Sequence, residues 1–209
     1  MTRRTERTRF AILIQKVWRG YITRKLLYKL KDEFNSKLIK KALTNHIDNT
    51  KCIKTINKQL KYKKFRNTNF PSEISENIVK YAIRQYYHIC PTWDTKKGDL
   101  IIDLLTYEKT IEVKGFSSKG PSSFGPKESW DIIYFIDCSQ YSCKKFIVYE
   151  IRLSNRNPRW YNLKMNSRQT YKQVCLQGKR PRISFDKILS QIKKKYIRII
   201  FDGMINKLL

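Results

Sequence analysis

Gly98-Asp99-Leu100-Ile101-Ile102-Asp103-Leu104-Leu105 and Thr110-Ile111-Glu112-Val113-Lys114-Gly115-Phe116 are two short apolar runs on either side of a polar Thr106–Lys109 stretch. Their β-branched content and the polar break predict a hairpin. Glu112 and Lys114 are two apart on a strand, so both point to one face. Asp99 lies where a loop enters the first strand, and Asp103 lies within that strand. Two carboxylates and a lysine at the end of an apolar strand can hold a divalent metal ion and a water beside a phosphate. The triplet is not diagnostic by itself. With 17 acids and 30 lysines in 209 residues, roughly two acid-x-Lys triplets arise by chance. Two occur, the other being Asp94-Thr95-Lys96, so the surroundings must separate them.

The surroundings begin with charge. The net charge is +28, which predicts a polyanionic partner such as DNA or RNA, with an anionic membrane surface as the plain alternative. Residues 1–66 carry 20 bases and 4 acids, so most acids lie in residues 67–209. This divides the chain into a basic extension, 1–66, and a folded domain, 67–209. Five cysteines form no CxxC pair and there are two histidines, which argues against a zinc site. The odd count fits reduced thiols in the cytoplasm or nucleus, and an unsecreted protein. The Arg-rich start is also compatible with a mitochondrial presequence. No segment reads as a membrane span or a secretory signal.

Periodicity predicts helices over residues 6–31 and Ser36–Leu60, with a basic linker Lys61–Thr68. Ser72 is a candidate N-cap for a helix ending near His88, with Glu73 and Glu76 in its first turn. One face of that helix would carry Ile74, Ile78, Tyr81, Ala82 and Gln85. Further strands are expected at Trp130–Ile136, Phe146–Leu153 and Tyr196–Phe201, and a helix around Phe185–Lys195. The order predicts an α/β (α+β) domain, a mixed central sheet flanked by helices, preceded by the basic helical extension.

Phosphodiester cleavage needs charge neutralisation and an activated water. Magnesium takes oxygen ligands and keeps several waters, so one or two carboxylates suffice. Asp99 and Glu112 are the natural pair, and the carbonyl of Val113 is a third candidate ligand. Lys114 would stand beside the attacking water. Asp103 competes with Asp99, and Glu76 could offer an accessory acid from the first helix of the domain. On an isolated hairpin, Glu112 and Lys114 would read more readily as a solvated ion pair than as a metal site.

A longer pattern surrounds the triplet. Pro71-Ser72-Glu73-Ile74-Ser75-Glu76-Asn77-Ile78-Val79, Lys97-Gly98-Asp99-Leu100 and Ile111-Glu112-Val113-Lys114-Gly115-Phe116-Ser117-Ser118 follow one another in order. Gly120-Pro121-Ser122-Ser123-Phe124-Gly125-Pro126, Ser129-Trp130-Asp131 and Gln177-Gly178-Lys179-Arg180-Pro181-Arg182-Ile183-Ser184-Phe185 come after them. Together they resemble type II restriction endonucleases of the PD-(D/E)XK class, with Gly98 where the class name has Pro. The resemblance implies a restriction-endonuclease-like fold and a magnesium-dependent DNA endonuclease, with manganese as a substitute, leaving 5′-phosphate and 3′-hydroxyl ends. It implies metal binding by Asp99 and Glu112, a water-serving Lys114 and an accessory Glu76. It also implies a homodimer on double-stranded DNA. Ser117, Ser118, Ser122, Ser123 and Lys127 of the following loop, with Arg180 and Arg182, are candidate DNA contacts. A repair or junction-type nuclease of the same fold and a non-catalytic nucleic-acid adaptor are the competing functions.

Ile14-Gln15-Lys16-Val17-Trp18-Arg19-Gly20-Tyr21-Ile22-Thr23-Arg24-Lys25-Leu26-Leu27 resembles the IQ motif bound by calmodulin and related EF-hand proteins. Ile14, Gln15, Arg19, Gly20, Arg24 and Leu27 fill its consensus places. A basic amphipathic helix suits a Met-rich acidic groove. The motif implies a eukaryotic host cell, with a virus-encoded enzyme as one origin.

Overall fold

The computed structural model describes residues 35–62, 64–66, 69–93, 99–104 and 107–209. The expected helix over 6–31 and the IQ-like segment lie outside them. The chain divides into two compact units, Met1–Ala42 with Leu209, and Leu43–Leu208. Helix α1 runs through residues 35–59, close to the expected span. In the larger unit its Leu43 and Ile47 are buried, and the His46 ring meets Phe70 at 5.4 Å and Tyr141 at 5.3 Å.

Helix α2 spans Ser72–Tyr87, with Pro71 rather than Ser72 at the N-cap. Proline presets the extended entry, so Ser72 is already helical, and the Ser75 hydroxyl donates back to the Pro71 carbonyl at 3.3 Å. Glu73 is in the first turn and Glu76 falls just beyond it. The buried face holds Ile74, Ser75, Ile78, Val79, Ala82 and Ile83. Gln85, expected on that face, is exposed, because the apolar stripe drifts toward Val79 and Ile83 as the helix advances. The C-cap His88 adopts a left-handed conformation, φ 57°.

The strands are β1 (Thr92–Trp93), β2 (Leu100–Leu104), β3 (Tyr107–Phe116), β4 (Ser122–Ser123), β5 (Ile132–Asp137), β6 (Lys145–Ile151), β7 (Arg182–Ile183) and β8 (Ile197–Met204). Helices α3 (Pro158–Tyr161), α4 (Tyr171–Leu176) and α5 (Phe185–Gln191) complete the domain. Among the described residues, six strands form one sheet in the order β1-β2-β3-β5-β6-β8. Only β3 and β5 run parallel, so the sheet is mixed and mostly antiparallel, with helices against it, as the sequence predicts. The strand pairing reaches further than expected: Asp103 pairs with Glu108 and Leu104 with Tyr107, so Tyr107–Lys109 belong to β3.

Alternation along the strands sends their side chains to two cores. Ile133 and Phe135 enter a cluster with Phe124, Trp130, Trp160, Tyr171, Phe185 and Ile188. Tyr134 and Ile136, also fully buried, belong to the opposite face, where α2 packs against β3, β5 and β8. The helix approaches closely at Gly115, where a Cβ would meet the Ser75 Oγ at 2.5 Å and the Ser75 Cβ at 3.3 Å. Gly115→Ala is therefore expected to cost ~1–3 kcal/mol of stability through overpacking. Adding Ser75→Ala should return part of it. Thermal melting of the single and double variants decides this; a single variant that melts with the wild type would contradict the tight approach.

Candidate active site

The end of the sheet where β2 begins and β3 passes into its loop opens into a cleft of about 600 Å³. Its lining includes Glu76, Asp99, Glu112, Val113, Lys114, Ser117, Ser118, Ser122, Ser123 and Glu128. Local pairing explains how the acids converge. The Asp99 amide donates to the Ile111 carbonyl at 3.1 Å, which holds the residue before β2 against β3. Its carboxylate then accepts the Val113 amide at 2.7 Å. Asp103 is exposed opposite Glu108 and does not line the cleft.

Glu112 and Lys114 share one face of β3, beside Ile133 and Phe135 of the parallel neighbour. Glu112 is 5% exposed. The Lys114 ammonium makes an ion pair with Glu112, stands 3.4 Å from Glu128 and lies 5.5 Å from the centre of the Phe124 ring. A solvated surface pair is thereby excluded: both partners are largely withdrawn from water.

The electrostatics follow from packing acids together. Burial, then the Asp99 and Glu73 carboxylates, push Glu76 up to about 7, with Lys114 opposing. Burial likewise raises Glu112 to about 7; Lys114 opposes it, while Asp99 and Glu128 add to it. Burial works against the charge on Lys114, but Glu112, Glu128 and Asp99 outweigh burial and hold its pKa above the ordinary value. A carboxyl with a raised folded pKa binds protons in the fold that it releases in the unfolded chain. For these two groups the metal-free fold is favoured below about pH 4.5, loses that stability as pH climbs through about 7, and does not regain it above. In EDTA, Glu112→Gln should therefore gain on the wild type in melting temperature between pH 5 and pH 8. A constant difference across that range would contradict the raised value.

Among the described residues no group of three or more His, Cys, Asp or Glu is arranged to hold a metal. Magnesium does not require one, since it is held through one or two carboxylates and retains waters. Asp99 and Glu112 offer hard oxygen donors in one cleft, and their mutual repulsion is what a cation relieves. The donor set fits the ion.

The remaining candidates divide. Ser117, Ser118, Ser122 and Ser123 line the cleft. Lys127 lies outside it, exposed beside a second hollow of about 830 Å³. Arg180 and Arg182 are exposed, with buried Pro181 and Ile183 alternating between and after them. Neither lines the cleft; β7 runs antiparallel to β4, which sets Arg182 opposite the cleft-lining Ser123, and the Phe124 amide donates to the Pro181 carbonyl at 3.0 Å. Glu128 is the residue that sequence reading missed. The one available signal was that it is the sole acid between Lys114 and Asp131.

A family model described as Bsp6I restriction endonuclease matches residues 38–192, about three quarters of the chain. One described as IQ calmodulin-binding motif matches residues 8–27. Comparison with curated proteins and with solved structures gives no match. The family match contains α2, the β2–β3 hairpin, the serine-rich loop and the β4–β7 pair, and so every residue that forms the cleft; this chain belongs to the Bsp6I restriction endonuclease family and carries a restriction-like nuclease domain.

Proposed function

We propose that the chain is a magnesium-dependent, sequence-specific DNA endonuclease that leaves 5′-phosphate and 3′-hydroxyl ends. The observation that carries this reading is the cleft that Asp99, Glu112 and Glu76 line together with one half-buried lysine, Lys114. Asp99 and Glu112, with the Val113 carbonyl, would hold the metal. Bound there, magnesium supplies charge neutralisation at the phosphate and acidifies a water. Lys114 holds its proton, so it acts as a hydrogen-bond donor that orients the attacking water and meets the developing charge on the phosphate. Glu76, raised to about 7, can accept a proton from the water network near neutral pH. Ser117, Ser118, Ser122 and Ser123 face the backbone of double-stranded DNA at the cleft, while Arg180 and Arg182 extend that surface and Lys127 adds charge outside it. A net charge of +28 favours such a partner. The enzyme acts as a homodimer, one site per strand.

The test is incubation of purified protein with unmethylated plasmid or phage DNA, with and without magnesium. Discrete fragments that require the metal are expected. A smear, or cleavage of branched substrates alone, would replace this reading with a repair or junction nuclease, and binding without cleavage under any metal with an adaptor.

The IQ-like segment, with Ile14, Gln15, Arg19, Gly20, Arg24 and Leu27, supports binding of calmodulin or a related EF-hand protein in the cytoplasm or nucleus of a eukaryotic cell. Retention on calmodulin resin should be lost in Gln15→Ala/Arg19→Ala; equal retention would end this reading.

A further inference from the structure

The serine-rich loop brings a second acid to Lys114, and the way it is held shows what that acid is for. Glu128 is partly buried, its side chain 24% exposed. Among the described residues its Oε2 accepts no hydrogen bond, and it stands 3.4 Å from the Lys114 ammonium, which is meanwhile paired to Glu112. Its backbone is fixed at both ends. The Glu128 amide donates to the Gly125 carbonyl at 3.3 Å, and its carbonyl accepts the Asn155 side-chain amide at 2.5 Å. Asn155 is itself buried and accepts the Trp130 amide at 3.4 Å. The side chain folds back over Gly125, where a Cβ would meet Glu128 Oε1 at 2.8 Å and Cγ at 3.0 Å. A side chain at residue 125 would push the carboxylate off its place beside Lys114.

We propose that Glu128 is a positioning residue that takes over the Lys114 ammonium from Glu112 when a divalent cation occupies Glu112. This rests on the reading of Glu112 as a metal ligand. With Lys114 on Glu112, a cation arriving there meets a like charge at contact range and an occupied oxygen. Closing a 3.4 Å separation to the ~2.8 Å of a charge-assisted hydrogen bond is a shift of well under 1 Å. The lysine stays charged, stays above the Phe124 ring and stays in the cleft. Glu112 is freed without stranding the ammonium.

The proposal is tested by Mn²⁺ binding to the full chain, measured by calorimetry or by the electron paramagnetic resonance of the free ion. Glu128→Gln should weaken Mn²⁺ binding roughly five- to tenfold, the range of one partly buried ion pair. In a Lys114→Met background, where no ammonium needs a new partner, the same change should shift it less than about twofold. Gly125→Ala, which displaces the carboxylate but keeps it, should resemble Glu128→Gln, and the melting temperature of each variant shows that the fold persists. Equal losses in both backgrounds would make Glu128 a direct ligand and overturn the proposal. So would an unaltered affinity in Glu128→Gln alongside a loss in Glu112→Gln. If Glu112→Gln itself binds Mn²⁺ like the wild type, the metal assignment fails first and takes this inference with it.

Discussion

Lys114→Met is expected to lower DNA cleavage by ~10²–10⁴-fold, the range for a positioned donor or proton-transfer group, while changing DNA affinity by less than about threefold. The separation follows from geometry. Lys114 is 18% exposed, lines the cleft and is paired to carboxylates, so it adds little to a surface whose net charge is +28. Methionine keeps an unbranched apolar stem, one atom shorter, while removing the charge and its contact with the Phe124 ring. Single-turnover cleavage and a filter-binding isotherm in calcium measure the two effects. A parallel fall in both would assign Lys114 to DNA binding and not to chemistry.

The second large effect is on stability and lies on the sheet face that packs against α2. Glu150 is 1% exposed. It accepts hydrogen bonds at 2.7 Å from the hydroxyls of Tyr87 and Tyr134 and from Arg152 Nε. Arg152 also donates to the Tyr87 hydroxyl at 2.7 Å. The network ties the end of α2 to β5 and β6, and burial with the nearby carboxylate holds the Tyr134 hydroxyl far above its ordinary pKa. Glu150→Ala leaves a buried hydroxyl without a partner and opens a cavity. Breaking a buried ionic network in this way costs ~3–5 kcal/mol, or about 10 °C in melting temperature for a domain of this size. Glu150→Gln keeps the volume and should lose less than half as much. A drop below about 2 °C for the alanine variant would show that water replaces the carboxylate at no cost. The helix tied down here also carries Glu76, so cleavage should fall along with stability.

Sequence alone reached the local parts of this architecture. The β2–β3 hairpin and the Glu112/Lys114 pairing on one face follow from period-two alternation, and α2 follows from its apolar stripe. The choice between Asp99 and Asp103 did not follow, because it depends on the register that sets Leu100 against Ile111 and leaves Asp99 beside Val113. Glu128 was illegible for another reason: it is aimed by a turn at Gly125 and an amide from Asn155, neither of which has a period. The nearness of Arg182 to the cleft required a pairing between segments far apart in the chain. One signal was overlooked. Thr170-Tyr171-Lys172-Gln173 has the spacing of a capping box, and both of its reciprocal hydrogen bonds are present at the start of α4.

The β4–β7 pairing joins Ser122 to Ile183 and Ser123 to Arg182 across some sixty residues, and this bears on how the enzyme comes into being. On the ribosome, strand β3 is complete long before β7 emerges, so a nascent chain has the acids and the lysine of the cleft but lacks the partner strand beside its serines. Closing so long a loop is slow relative to forming a hairpin. In refolding, the Phe124 amide, bonded to Pro181, should gain protection from hydrogen exchange after the β2–β3 ladder does. The end that carries the cleft is thus expected to be completed after the β2–β3 ladder, and a translation product that stops before β7 lacks the strand that pairs beside its serines.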